Sequence, residues 1–356
     1  MKNMKRCHFV TIFRIVCFLI IIAVPLLTGC LGRTEGGPPG IVVGAGTFKR
    51  TLVSPLIGWV QTGIYDSTEG FEIAVLSYGK ITFLDPKTYA AKRTVPVHDD
   101  RVGYKELVSL RADGKLNLMA GGGGYSDVGL FDLDGHSLWQ FKVKSPYNLP
   151  PNKMIAVDLD DDGTKEFYVA DPEGVFRLDT DGRIVWRGDA KMNYYIFTLP
   201  AEGERPAAVV TDQGMWDCHG KQLKHGITSS VGTYMLQAVK WGSSYYLASG
   251  QTSSEGGNVF IFDQTGKTVF KQSIGNWGVN NILAVRFKAG EPPYLVVVGG
   301  RGGGTPLMSL SIFSHDGTLV YQENRRPENL KVISDDATGV DTLLLCTGGI
   351  TKIEKL

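Results

Sequence analysis

The sequence has 356 residues, with 37 Lys and Arg against 36 Asp and Glu, and a formal net charge of +1. It contains no basic stripe with interleaved aromatic residues, so its charge argues against a nucleic-acid partner. With 45 glycines, 43% hydrophobic residues and only five cysteines, the chain has the composition of a glycine-punctuated β protein with a large core. This composition argues against a disulfide-stapled scaffold.

Residues 1–29 predict a cleaved secretory signal peptide. An apolar run from Ile15 to Leu27 follows four cationic residues, and it is too short for a comfortable transmembrane helix. Thr28 and Gly29 supply the small residues that a signal peptidase needs before the cut. Because this segment carries four cations and no acid, its removal changes the net charge from +1 to −3.

The end of this segment, Leu27-Thr28-Gly29-Cys30, resembles the lipobox of bacterial lipoproteins. The resemblance implies that Cys30 becomes the new N-terminus and carries acyl chains such as palmitate, which anchor the protein to a membrane of the cell envelope. Leu31 in place of an aspartate favours the outer membrane if the organism is Gram-negative. The alternative is an uncleaved anchor with an incidental cysteine. With lipidation at Cys30, residues 30–41 are predicted to form a lipidated flexible tether and residues 42–356 the folded domain.

One sequence motif recurs through the folded domain. It consists of an apolar strand, a turn ending in glycine, and a second apolar strand that often carries an aromatic residue. The clear copies are VGLFDLDGHSLWQF, GVFRLDTDGRIVWR, NVFIFDQTGKTVFK and LSIFSHDGTLVYQE. The turn glycines, which recur at intervals of 38 to 51 residues, are Gly135, Gly182, Gly220, Gly266 and Gly317. This period is typical of a four-stranded propeller blade whose last two strands form a tight hairpin.

Another apolar pair precedes each hairpin, as in MIAVDLDDDGTKEFYVAD, and completes four strands per repeat. The last repeat, GGITKIEKL, stops one strand short, and the segment GTFKRTLVSP from Gly46 could supply the missing strand. The sequence therefore predicts an all-β propeller, most simply of seven blades of four antiparallel strands, with an N-terminal strand completing the last blade. Six or eight blades stay open, and a β-sandwich is the alternative fold.

The aromatic residues at the equivalent hairpin positions, Trp139, Trp186, Phe270 and Tyr321, are interpreted as packing between blades rather than as a ligand platform. Two cysteines of the folded domain, Cys218 and Cys346, are far apart in sequence, each beside a strand-like segment. We expect free, buried thiols there, although a single bridge between them stays open.

One loop of the sequence has the residue types and spacing of a metal-binding site. Its oxygen-bearing side chains stand at alternating positions around Gly163, in the spacing of a calcium loop. The predicted metal ligands are Asp158, Asp160, Asp162, Thr164 and Glu166. The glycine permits the sharp turn that brings alternate residues together, and hard oxygen ligands suit a hard cation. The alternative is an acidic, solvated hairpin turn.

Lying between two strands, the stretch VDLDDDGTKEFYVAD resembles the calcium loop of FG-GAP and VCBS-type propeller repeats. The hairpin LDTDGRIVW is similar to the outer strands of quinoprotein-like propellers. The resemblance implies one structural calcium ion as cofactor, held on the rim of a blade.

No catalytic constellation stands out in the sequence, and no catalytic residue is predicted. The favoured hypothesis is a noncatalytic propeller scaffold, anchored to the envelope membrane through its lipid, that binds a protein or a glycan. Two alternatives stay open. One is a propeller enzyme, either a quinone-dependent dehydrogenase or a polysaccharide-cleaving enzyme, and the other is a calcium-dependent adhesion module.

Overall fold

The computed structural model describes residues 47–66, 70–98, 105–109, 115–121, 127–142, 153–171, 173–189, 196–211, 213–225, 235–241, 244–251, 258–263, 265–273, 278–300, 308–323, 329–335, 337–346 and 348–356. The predicted signal peptide, Cys30 and the tether of residues 30–41 lie outside the described residues. The described strands belong to the compact unit Ile41–Leu356.

Seven four-stranded antiparallel sheets form the ring of a β-propeller, as predicted. Blade 1 contains β2 (Trp59–Asp66), β3 (Gly70–Ser77), β4 (Lys80–Leu84) and β5 (Ala91–Pro96). Blade 2 contains β6 (Lys105–Ser109), β7 (Leu116–Gly121), β8 (Asp127–Phe131) and β9 (Ser137–Lys142). Blade 3 contains β10 (Lys153–Val157), β11 (Glu166–Asp171), β12 (Gly174–Leu178) and β13 (Ile184–Gly188).

The second half of the ring repeats this order. Blade 4 contains β14 (Ile196–Leu199), β15 (Ala208–Thr211), β16 (Gly214–Trp216) and β17 (Gln222–His225). Blade 5 contains β18 (Met235–Trp241), β19 (Ser244–Gln251), β20 (Asn258–Phe262) and β21 (Thr268–Ser273). Blade 6 contains β22 (Gly278–Val285), β23 (Tyr294–Gly300), β24 (Met308–Phe313) and β25 (Leu319–Glu323).

Blade 7 is built from both ends of the folded domain. Its strands are β26 (Asn329–Asp335), β27 (Val340–Cys346), β28 (Ile350–Lys355) and, as the outer strand, β1 (Phe48–Ser54). β1 runs antiparallel to β28, with Phe48 opposite Lys355 and Leu52 opposite Thr351. The N-terminal strand therefore completes the last blade, as the missing strand of the final repeat predicted.

Among the described residues, seven hydrophobic clusters form the core, and each joins two neighbouring blades. The second half of β27, Leu343–Cys346, shows why such strands carry an unbroken apolar run. Leu343 and Leu345 pack with residues of blade 6, whereas Leu344 and Cys346 pack with residues of blade 1. Since successive side chains of a strand point to opposite faces, a strand covered by a blade on each side has no polar face. Cys218 and Cys346 form no disulfide with each other; Cys346 is buried and Cys218 is partly exposed.

The hairpin between the third and fourth strands is shaped by an aspartate. In four of the six blades that have a hairpin here, the aspartate Oδ1 accepts backbone N–H groups two and four residues later, at 2.8–3.0 Å. These aspartates are Asp132, Asp179, Asp217 and Asp263. The glycine that ends the turn has a φ of 77° to 88° in the five blades where one is present, as the repeat predicted. Blade 1 uses Tyr89 instead, with a φ of 60°.

In blades 3 and 4 the hairpin turn also lies against the outer-strand aromatic residue of the preceding blade. A Cβ atom at Gly182 would lie 2.7 Å from the ring of Trp139, and one at Gly220 would lie 2.8 Å from the ring of Trp186. The glycine therefore provides both the positive φ and the space for an indole ring. This contact confirms that the hairpin aromatic residues pack between blades.

Candidate functional site

The acidic loop of blade 3 connects β10 to β11 and brings the predicted carboxylates together. One oxygen from each of Asp158, Asp160, Asp162 and Glu166 lies within 4.8 Å of the others. Oxygen atoms on opposite sides of a calcium ion stand about 4.6–5.2 Å apart, because each Ca–O bond is about 2.3–2.6 Å. The spacing of the four carboxylates therefore fits a calcium ion.

Local hydrogen bonds hold this loop in shape. The carboxylate of Asp158 accepts the N–H groups of Asp162 at 3.0 Å and Gly163 at 2.8 Å, and Thr164 N–H donates to Asp162 Oδ1 at 2.7 Å. Asp161 and Gly163 have positive φ values of 61° and 85°. Thr164, the fifth predicted ligand, thus enters the observed network through its backbone amide.

The guanidinium of Arg177 lies beside two of the loop carboxylates. Arg177 of β12 places Nη2 3.2 Å from Glu166 Oε1 and 3.5 Å from Asp160 Oδ2, while its Nη1 donates to the carbonyl of Cys218 at 2.7 Å. Glu166 is only 5% exposed, and burial raises its pKa despite Arg177. Arg177 thus contacts two of the four carboxylates, and residues 158–166 with Arg177 contain five acids against two cations, which leaves an excess of negative charge at the loop.

A second group of ligand-type side chains was missed from the sequence. Asp132, Asp134 and His136 of blade 2 have ligand atoms within 4.8 Å of one another. His136 Nδ1 lies 3.0 Å from Asp132 Oδ2, and Asp132 also shapes the hairpin turn. The alternating Asp-x-Asp-x-His order is the signal that could have found it. The turn itself accounts for the contact, so no metal need be invoked.

A third feature is apolar and lies where β1 leads into β2, at the seam between blades 7 and 1. Ile57, Trp59 and Tyr78 are 64%, 49% and 78% exposed, and we call these three residues the seam patch. Ser77 Oγ donates to the Ile57 carbonyl at 2.7 Å, and Trp59 pairs with Leu76, so the patch spans two adjoining segments. These segments, residues 54–59 and 77–81, contain no acidic residue and one cation, Lys80.

No protein-family profile matches the chain, and no curated protein matches its sequence. Solved structures do resemble its fold. BBS1N, solved in complex with ARL6DN in mercury-soaked crystals, has a TM-score of 0.54 at 13% identity, over 86% of this chain and 96% of that one. Streptogramin B lyase has a TM-score of 0.50 at 13% identity, over 88% of this chain and 99% of that one.

At this level of identity the two likenesses define a seven-bladed β-propeller and nothing finer. In the part of the chain that the structure describes, no helix is long and apolar enough to span a membrane.

Proposed function

We propose that the protein is a lipid-anchored, noncatalytic propeller scaffold of the bacterial cell envelope, and that it binds a protein partner through the seam patch. The exposure of Ile57, Trp59 and Tyr78 carries the proposal. The lipobox-like sequence ending at Cys30 supports membrane attachment, on the outer membrane in a Gram-negative cell. The structural neighbour BBS1N was solved with a protein bound, which is consistent with such a role.

The chemistry of the seam patch favours a protein ligand. Tryptophan and tyrosine are enriched among the residues that contribute most to protein–protein binding, since they bury a large area and retain a polar group. Adjacent exposed apolar side chains on a soluble protein mark interaction sites more often than isolated ones do. Because its two segments contain no acidic residue, the patch suits a partner whose binding surface is apolar and has an acidic or neutral rim.

Replacing Trp59 and Tyr78 together by serine should reduce recovery of the partner from solubilised envelope by about tenfold or more, because two aromatic anchors are removed. The measurement is quantitative mass spectrometry of proteins co-purified with the full chain. The thermal unfolding midpoint should change only modestly, since Tyr78 is largely exposed and Trp59 is half exposed.

The matched control is Val185→Ser, which changes a 53%-exposed apolar residue on the outer strand of blade 3. This variant should recover the partner as the wild type does. Equal recovery by all three proteins would contradict binding at the seam patch, and so would a set of co-purified proteins that is not reproducible with the wild type.

We also propose that the loop of residues 158–166 binds one calcium ion with a structural role. The 4.8 Å grouping of its carboxylates and their excess of negative charge support the proposal. Asp158, Asp160, Asp162 and Glu166 would hold the ion together with an oxygen of Thr164. Arg177 would have to yield part of its contact with Asp160 and Glu166. The ion would stabilise the hairpin between β10 and β11.

Calcium at millimolar concentration should raise the unfolding midpoint of the wild-type protein. A hundredfold excess over the Kd corresponds to about 2.7 kcal/mol of added stability. Asp160→Asn combined with Asp162→Asn should abolish the increase. Asp181→Asn, which changes an exposed acid in the neighbouring hairpin, should retain it. Absence of any calcium-dependent shift in differential scanning calorimetry of the wild type would contradict the proposal.

A further inference from the structure

A cavity of about 580 Å³ opens among the hairpins of blades 5, 6 and 7. Its walls come from the end of β18 and the start of β19, from the hairpin between β22 and β23, and from the turns at His315 and Gly339. The volume lies within the range of about 300–1,000 Å³ that is typical of small-ligand sites. None of its lining residues belongs to the acidic loop or to the seam patch.

Aromatic rings form one wall of the cavity. Trp241 and His315 stack with ring centroids 5.0 Å apart and an interplanar angle of 22°. Trp241 is only 9% exposed and also contacts Phe270, so the indole is fixed from behind. His315 is exposed and lines the cavity. Tyr246 of β19 adds a second ring to the lining.

The polar groups at the rim have hydrogen-bond partners within the protein. Ser244 forms a side-chain hydrogen bond with Glu202. Arg286 Nη1 donates to the Gly339 carbonyl at 3.4 Å, and the backbone N–H of Arg286 donates to Asp341 Oδ2 at 2.7 Å. Glu291 accepts Lys355 Nζ at 2.7 Å and the Tyr294 hydroxyl at 3.2 Å. The cavity is therefore pre-organised, which lowers the entropic cost of binding.

The charges of the lining nearly cancel. Arg286 is its cation and Glu291 its anion. Just outside the lining, Lys355 hydrogen-bonds to Glu291 and lowers the pKa of its carboxyl, and Asp341 lies beside Arg286, so these two further charges also cancel. A strongly charged ligand would find no excess of opposite charge here. A ligand with one apolar face and many hydroxyl groups would match both the rings and the hydrogen-bonding rim.

We propose that this cavity binds a neutral carbohydrate. A sugar ring packs its C–H face against His315 and Tyr246, and its hydroxyl groups bond to Ser244, Arg286 and Glu291. The inference rests on the proposed scaffold function in one respect, namely that the sugar is bound and released unchanged. It does not depend on the seam patch.

Calorimetric titration of the full chain with cellotetraose, maltotetraose, mannotetraose and chitotetraose tests the proposal, in a detergent that has no sugar headgroup. At least one of these should bind the wild type. His315→Ala and Tyr246→Ala should each weaken that binding by about tenfold, whereas Tyr246→Phe, which keeps the ring, should retain most of it.

His219→Ala, which removes an exposed histidine from the equivalent turn of blade 4, is the matched control and should bind as the wild type does. Absence of binding by all four sugars, or binding that the His315 and Tyr246 variants leave unchanged, would overturn the carbohydrate site. Chromatography of the recovered sugar separates the two proposals. Intact sugar agrees with a scaffold, whereas cleaved sugar would contradict the scaffold and still support a carbohydrate ligand.

Discussion

Replacing Phe48 by alanine is expected to lower the free energy of unfolding by about 3–5 kcal/mol. Phe48 begins β1 and is 3% exposed. Its ring lies 5.2 Å from that of Phe287 and 5.6 Å from that of Tyr321, both in blade 6. Loss of this side chain would leave a cavity between blade 7 and blade 6. The propeller would then open more easily between these two blades.

Leu52→Ala is the matched control for this experiment, because Leu52 lies on the same strand but is 61% exposed. Its effect should stay within about 0.5 kcal/mol. Chemical denaturation of the full chain measures both variants. Equal, small effects would contradict the conclusion that β1 is an integral strand of the last blade.

A second large effect is expected at the ion pair between Arg50 and Glu323, which joins the outer strands of blades 7 and 6. Arg50 Nη1 lies 2.9 Å and 3.0 Å from the two carboxylate oxygens, and the Tyr321 hydroxyl donates to the same carboxylate at 2.9 Å. Glu323 is 8% exposed. Arg50→Met should therefore destabilise the protein by about 3 kcal/mol, since it leaves a buried carboxylate without its counter-ion.

The double variant Arg50→Met with Glu323→Leu should recover much of this loss, because both charges are then absent from the interface. Measured in one denaturation series with both single variants, the four proteins form a double-mutant cycle. Additive losses in the double variant would contradict a direct interaction between the two side chains.

The propeller could be predicted because its determinants are local and repeated. Each Asp-x-x-Gly turn fixes a hairpin through its own hydrogen bonds, and the spacing of these turns gives the blade period. The missing strand after GGITKIEKL predicted the role of β1, since one unpaired sheet edge requires one further strand. Tyr89 shows where the pattern weakens, because blade 1 makes its turn without the glycine that marks the others.

The acidic loop could be predicted only in part. Alternation of aspartates around Gly163 placed the four carboxylates together, because that geometry is set within one hairpin. Arg177 lies on β12, the strand that pairs with β11, and its contacts with Glu166 and Asp160 are made within blade 3. The hydrogen bond from Arg177 Nη1 to the Cys218 carbonyl of blade 4 could not be predicted, because it depends on how two blades pack and no local pattern encodes that.

The cavity of blades 5 to 7 gave no sequence signal for a related reason. Trp241, Arg286 and His315 come from separate hairpins of blades 5 and 6, and only the packing of these two blades brings them together. The seam patch likewise depends on residues that look like ordinary strand residues in the sequence. Their exposure becomes apparent only when the neighbouring blades are in place.

Photocrosslinking from position 78 in intact cells tests the central claim most directly. With a photoreactive residue in place of Tyr78, the protein that retains Cys30 should form one discrete crosslinked product with an envelope protein. The same protein with Cys30→Ala should lose its membrane attachment and most of that product. A product of equal yield without Cys30, or no product in either case, would contradict a membrane-anchored scaffold that binds through the seam patch.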